Sequence, residues 1–417
     1  MIPITEIPGF IREFARRKDL DLLEPQRRHL EEYLTGLMVC DNHTVSAMND
    51  WFTGHRDQSA KNHFLTDSQW DEEKLEKARN ELILGEVKKR NVRSGAIAFD
   101  DTMIHKTGKN IPNTGKYFDH SLGCYVHGQP LVTSHFVCKH FHVPLDFEIY
   151  QKAQGAGEED HQTKLELVKL LFEKAQKRGL PFRVALMDTW YLCKETYDFY
   201  EEKAHFPLVA AAKSNLQMYT ATGTVSLAEY AASLPAEAFK RVEIETAQGH
   251  KRTFLCFTKC VKLVSLGRKV RLVISYDGQR EQSGPKFLVT NQLGWEIRRI
   301  LWEYSQRWFI ERFYQESKQH LGLEECEMRK PTGIQRHYRM VFLADTLLQL
   351  NALTGPLTRW FKTNVQSLAG KCSMVKTEVV RSFISWTLRQ AYFADEVDFI
   401  LTKAFAPQSD IRITFAD

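Results

Sequence analysis

Two short apolar runs in this chain end in aspartate, and that limits the folds open to it. GAIAFDD, residues 95–101, and PFRVALMD, residues 181–188, each have the length and apolar density of a buried strand. Each delivers a carboxylate at its end. Between them SLGCYVHGQPLVTSHFVC and FHVPLDFEIY gather β-branched and aromatic residues on either side of an HGQP turn, which reads as a strand meander. QGAGEEDHQTK then opens the helix LELVKLLFEKAQKRG, with acids at its start, bases at its end and Gly179 as cap. A helix from about 193 to 204 and the strand FPLVAAAKSN complete a mixed α/β order.

The second constraint is WEYSQRWFIERFYQESKQH, residues 302–320, which reads as one helix. At about 100° per residue, Tyr304, Arg307, Glu311 and Lys318 fall within an arc of roughly 60°. Trp302, Phe309 and Phe313 fall opposite, so the pattern predicts a buried aromatic face and a polar one. Glu316 lies toward the aromatic side. HYRMVFLADTLLQLNAL follows as a nearly apolar helix expected beneath the sheet.

The remaining segments divide around this core. At 417 residues the chain is long enough for two or three domains. Residues 1–90 read as a helical domain, and 91–215 as the first part of the α/β core. Residues 216–293 read as a β-rich insertion with a hairpin at SLGR, 294–355 as the second part of the core, and 356–417 as a helical C-terminal region that includes VVRSFISWTLRQAYF and EVDFILTKAF. In the helical domain, HTVSAMNDWF, the turn TGHR and DQSAKNHFL suit a helix-turn-helix. Its second helix would carry Gln58, Lys61, Asn62 and His63 toward base edges.

Charge is balanced, with 57 Lys and Arg against 52 Asp and Glu. Between Thr246 and Tyr276, however, Lys251, Arg252, Lys259, Lys262, Arg268, Lys269 and Arg271 meet no acid in the sequence. Basic strands can be edges protected against aggregation or a surface following a phosphate backbone. The eight cysteines form no CxxC pair and read as reduced thiols. No run of signal-peptide or membrane-spanning length is present, so a cytoplasmic protein with no membrane association is the expectation. His140 and His142 would share one face of a strand, where packing or surface roles are expected. GxSxG, HExxH and GxxxxGK[ST] are all missing from the sequence.

Three carboxylates brought together by a folded core form a hard oxygen site suited to Mg²⁺. Two such ions activate the attacking oxygen and stabilise the leaving oxygen of an in-line phosphoryl displacement. Arginine and lysine beside them suit phosphate.

The set Tyr304-x2-Arg307-x3-Glu311-x6-Lys318 resembles the YREK signature of bacterial insertion-sequence transposases of the DDE class. FDDT at 99–102 and MDTWY at 187–191 resemble that family's other two acid motifs, and KSN at 213–215 its following basic segment. The resemblance covers about residues 91–355. It implies a ribonuclease H-like catalytic core interrupted by the β-rich insertion and flanked by helical N- and C-terminal regions. It implies that Asp100, Asp188 and Glu311 hold two Mg²⁺ ions, with Mn²⁺ as substitute, Asp100 being preferred to Asp101 because it follows the apolar run directly. Tyr304, Arg307 and Lys318, with Lys106, Lys213, Lys61 and Asn62, are the expected DNA contacts. The implied activity is that of a transposase: cutting 3′ ends at terminal inverted repeats, then joining them to target DNA. It would act as a homodimer on double-stranded DNA and be nucleoid-associated. A domesticated DNA-binding regulator and a metal-dependent nuclease without strand transfer are the alternatives. Residues 216–293 contain no tryptophan, and Trp295 lies only at their edge, so the hairpin intermediate of some members is not carried over.

Overall fold

The computed structural model describes residues 2–53, 57–119, 122–153, 161–247, 249–278, 284–354 and 367–391. Five helices come first: α1 (Gly9–Ala15), α2 (Glu24–Val39), α3 (Val45–Asn49), α4 (Gln58–Thr66) and α5 (Glu72–Lys89). Strands β1 (Gly95–His105), β2 (Gly115–Asp119), β3 (Cys124–Cys138) and β4 (His142–Ile149) follow. Then come α6 (Lys164–Lys177), β5 (Phe182–Met187), α7 (Lys194–Asp198) and β6 (Leu208–Ala212). The next stretch holds β7 (Gln217–Thr220), β8 (Gly223–Ser226), α8 (Leu227–Ser233), β9 (Lys240–Glu245), β10 (Lys251–Leu263), β11 (Arg268–Asp277) and β12 (Lys286–Thr290). The chain returns to helix in α9 (Ile297–Ser305), α10 (Trp308–His320), α11 (Pro331–Thr354) and α12 (Leu368–Ala391).

The chain forms two compact units. One comprises residues 87–103 and 130–313. Its sheet runs β4, β3, β1, β5, β6, β12, β11, β10, with β9 also on β10 and the β7–β8 hairpin beyond it. β1, β5 and β6 are parallel. They read as near-continuous apolar runs because both faces are covered. β12 lies antiparallel on β6, and β11 and β10 continue the antiparallel order. The β-rich stretch is therefore hydrogen-bonded into the core sheet. Gly95 allows β1 to approach β3, since a Cβ there would stand 2.6 Å from both the Phe136 ring and the Val137 carbonyl. Helix α6 is fixed at its start by a capping box between Thr163 and Glu166, and after its end Gly179 takes φ +73°.

The other unit comprises residues 1–86, 104–129 and 314–417. Its core is helical: α11 packs on α2, α4 and α12. Leu30, Leu34, Leu37, Phe64, Tyr338 and Phe342 are buried there. Helix α11, expected beneath the sheet, packs on these helices, and its Tyr338 also donates to Gln129 of β3. It is buried on nearly all sides, with Arg336, His337, Asp345, Thr346 and Gln349 among its buried residues, as suits the centre of a bundle.

Several local expectations are corrected. HGQP is not a turn, because β3 runs straight through it. The Gln129 side chain donates to the Pro112 carbonyl at 2.6 Å and accepts from the Tyr338 hydroxyl at 2.6 Å, which holds the segment extended. His140 and His142 do not share a strand face: His140 is in the turn before β4, and the buried His142 ring stacks on Phe309 at 4.5 Å. β1 does not stop at its acids but continues to His105. α3 and α4 are present as the two short helices of the expected pair. The TGHR turn, most of QGAGEEDHQTK and the EVDFILTKAF helix lie wholly or partly outside the described residues. All eight cysteines are free thiols.

Candidate active site

The register of the parallel strands brings the two aspartates together. Ile97 lies opposite Ala185 and Ala98 opposite Leu186. Two residues further along each strand stand Asp100 and Asp188, at the carboxyl edge where open α/β sheets present their functional groups. Adjacent strands are about 4.8 Å apart. Asp188 is fixed where β5 ends, its Oδ1 accepting the Trp190 amide at 2.8 Å.

Strand alternation separates Asp100 from Asp101. Phe99 and Asp101 share the face covered by α6, where the Phe99 ring meets Phe172 at 6.4 Å. Asp101 is engaged on that face, its Oδ2 accepting from Lys164 Nζ at 2.6 Å and its Oδ1 from the Tyr191 hydroxyl at 2.7 Å. Asp100 faces the other way. Its Oδ2 accepts from Arg307 Nη1 at 2.6 Å, and Arg307 Nη2 also donates to Glu311 Oε1.

Arg307 can reach both acids because the expected single helix is two. α9 ends at Ser305 and α10 starts at Trp308. At the break the Ser305 hydroxyl bonds back to the Trp302 carbonyl at 2.7 Å, and the buried Gln306 amide bonds to Glu303 Oε2 at 2.9 Å. The amides of Gln306, Arg307, Phe309 and Ile310 each reach the carbonyl three residues back, a tighter turn than α-helix. The expected aromatic face is also corrected. Phe313 is buried, but Trp302 is exposed, and Leu301 and Ile310 take the buried positions.

Burial lifts the Asp100 pKa to about 7, opposed by the Arg307 charge and reinforced by those of Asp188 and Asp101. For Arg307, burial favours the neutral form, but Tyr304, Asp100, Glu311 and Asp188 outweigh it and hold the guanidinium charged. Burial pushes the Tyr304 hydroxyl up to about 12, keeping it protonated. Arg307 lies 5.8 Å from the Tyr304 ring centre. Among the described residues no three His, Cys, Asp or Glu side chains converge closely enough to hold a metal ion.

The other sequence-derived candidates are scattered. Lys213 is exposed after β6. Lys318 belongs to the helical unit, where its Nζ lies 2.8 Å from Glu324 Oε1. Lys106 is buried in that unit and donates to the carbonyls of Glu324 at 3.0 Å and Cys326 at 2.6 Å, so it ties backbone together instead of facing solvent. Lys61 is likewise buried, 3.0 Å from Glu32 Oε2 and 2.8 Å from Asn49 Oδ1, because it sits on the inward side of α4 with Phe64 and Leu65. Asn62 is half-buried on α4. Sequence reasoning missed Lys164 and the hydroxyl of Tyr191. The TWY following Asp188 contained a signal for Tyr191, but nothing local marked Lys164.

Comparisons with known proteins bear on the family of the chain. A "Probable transposase for insertion sequence element IS701" from Microchaete diplosiphon is 34% identical over 140 residues, which is 33% of this chain and 36% of that protein. The match therefore spans about a third of the relative's length. Residues 21–230 match the family model described as DDE superfamily endonuclease, a stretch that includes Asp100 and Asp188 and ends before α10. With half of its length matched, this chain belongs to the DDE superfamily endonucleases.

Proposed function

We propose that this chain is an insertion-sequence transposase that cuts and joins double-stranded DNA at terminal inverted repeats. The observation that carries the reading is that paired parallel strands lead to Asp100 and Asp188 two residues beyond the Ala98 to Leu186 pair, with Glu311 joined to Asp100 through one guanidinium. We read the sheet around β1, β5 and β6 as a ribonuclease H-like core, and β7–β12 as its insertion. The partial relative's name supports the transposase reading.

The donor set suits a hard divalent cation. It offers carboxylate oxygens alone, and burial leaves Asp100 poorly stabilised as an anion. In this reading Asp100, Asp188 and Glu311, which do not converge while Arg307 joins two of them, would hold Mg²⁺ or Mn²⁺ once Arg307 moves off, and the ion would supply activation of the attacking oxygen and stabilisation of the leaving one. Arg307 neutralises Asp100 and Glu311 in the DNA-free state. Its fork of donors equally suits a phosphate, so it can exchange one anion for another as DNA enters. Tyr304, kept protonated, donates to the same phosphate. Lys318 and Lys213 hold flanking phosphates. Among the described residues no helix is long and apolar enough to cross a membrane. Action as a homodimer, and residence with the nucleoid, belong to the same proposal.

The test is Glu311→Gln. With DNA carrying the element's ends and Mg²⁺, the variant binds as the wild type does, while nicking falls by more than about a thousandfold. Wild-type cutting by the variant excludes the assignment. Cleavage by the native protein without any strand-transfer product points to a nuclease instead.

A further inference from the structure

Asp101 is adjacent in sequence to the acid at the candidate site; its amide donates to Asp100 Oδ1 at 2.9 Å, but its side chain does not bond to Arg307. Both of its oxygens are taken on the opposite face of β1, by Lys164 Nζ at 2.6 Å and the Tyr191 hydroxyl at 2.7 Å. Tyr191 is fully buried, three residues after Asp188. The intervening loop is held at further points. Asp188 Oδ1 accepts the Trp190 amide at 2.8 Å. The Trp190 ring meets the Tyr191 ring edge-on, with centres 4.9 Å apart, and the Lys164 ammonium lies 5.3 Å from the centre of the Trp190 ring. Trp190 itself is 45% exposed, so packing alone does not fix the loop.

We infer that Asp101 is a positioning residue for Asp188, acting through Tyr191 and Lys164, and that it does not itself contact the reacting atoms. This inference rests on the proposed metal-dependent reading of the site. The physical case is one of economy in the interior. A partly buried carboxylate paired with an ammonium stabilises a fold no better than apolar packing would. What such a pair provides is direction. Its two short charge-assisted bonds fix β1, the first turn of α6 and the loop after β5 to one another. Asp188 leaves that loop with its carboxylate already turned by the amide of Trp190. Groups that orient a ligand in this way typically change metal affinity by about 10- to 100-fold when removed.

The test uses the full-length protein, with equilibrium Mn²⁺ binding followed by electron paramagnetic resonance and folding followed by circular dichroism. Tyr191→Phe removes one hydroxyl and leaves the Asp101 to Lys164 pair in place, so it folds. It weakens Mn²⁺ binding by about tenfold. Asp101→Asn, which disturbs the Lys164 pair as well, weakens it at least as much without abolishing it, and the double variant is no worse than Asp101→Asn alone, because the Tyr191 link runs through Asp101. Asp100→Asn loses binding altogether. Unchanged Mn²⁺ affinity in Tyr191→Phe overturns the inference and leaves the proposed function standing. Complete loss of binding in Asp101→Asn also overturns it, by making Asp101 a ligand. A wild-type protein that binds no Mn²⁺ overturns the parent reading, and this inference with it.

Discussion

Arg307 Nη1 stands 2.6 Å from Asp100 Oδ2, and the same guanidinium also binds Glu311, so one cation joins acids 211 positions apart at their extremes in a single electrostatic unit. Only arginine has the fork to do this. Arg307→Lys supplies one point charge and can satisfy one carboxylate at a time. Arg307→Ala leaves Asp100 buried without its counter-charge, and destabilisation of about 3–5 kcal/mol is expected in chelator. If the acids hold a divalent ion, millimolar Mn²⁺ restores much of that loss. Urea unfolding with and without Mn²⁺ measures both quantities.

The two α4 candidates separate cleanly. Lys61 is 3% exposed and paired with Glu32, which also holds Arg28 at 3.1 Å, so Lys61→Ala leaves one oxygen of a buried carboxylate without its partner and costs about 1–3 kcal/mol of stability. Asn62→Ala leaves stability within about 0.5 kcal/mol and, if α4 reads DNA, weakens specific binding by about 1–3 kcal/mol. Chemical denaturation alongside a DNA mobility-shift titration distinguishes them. Loss of specific binding by folded Lys61→Ala, without change in Asn62→Ala, counts against this division.

Lys262 and Lys269 face each other across β10 and β11, both exposed, and like charges directly opposite cost stability. Lys262 also lies 5.6 Å from the ring centre of the exposed Tyr219. If this surface follows a phosphate backbone, Lys262→Ala and Lys269→Ala each lower the slope of log binding constant against log salt by about 0.9. Their stability should rise slightly. A salt slope equal to that of the wild type in the double variant assigns the lysines to edge protection instead.

A second buried acid lies in the helical unit. Burial lifts Asp345 to about 7, opposed by Lys371, by a hydrogen bond from Gln349 and by Arg79, with Glu316 acting in the same direction as burial. The folded state therefore holds a proton that the unfolded chain, with an ordinary aspartate, releases near pH 4. The stabilisation is complete below that value and is lost as pH rises toward 7. Asp345→Asn removes this slope and gains stability at pH 8 by an amount on the order of a few kcal/mol. Unfolding free energies between pH 4.5 and 8 show whether the slope disappears.

The sequence made the strand-end acids and the Tyr304, Arg307, Glu311 spacing legible because both follow short-range periodicity. The same periodicity misjudged the helix they sit on. A break at Gln306 depends on Glu303 being buried to receive its amide, and burial is a tertiary fact. Lys61 and Lys106 show the converse: a lysine's charge is visible in the sequence, but whether its stem leads inward is decided by elements far along the chain. Alternation alone could have assigned Asp100 and Asp101 to opposite faces. Which face held the site depended on where Arg307 and Lys164 came to rest.

The antiparallel seam between β12 and β6 has a consequence for how this chain can vary. Phe287 to Thr290 pair residue by residue with Ala212 to Val209, and β6 in turn pairs with the strand that leads into Asp188. Remove the stretch between 216 and 293 and the apolar β6 becomes a bare sheet edge, open to pairing with any other chain. That stretch is thus not a detachable cassette. Its last strand is as much part of the sheet's frame as β1 and β5, which lead to the two aspartates.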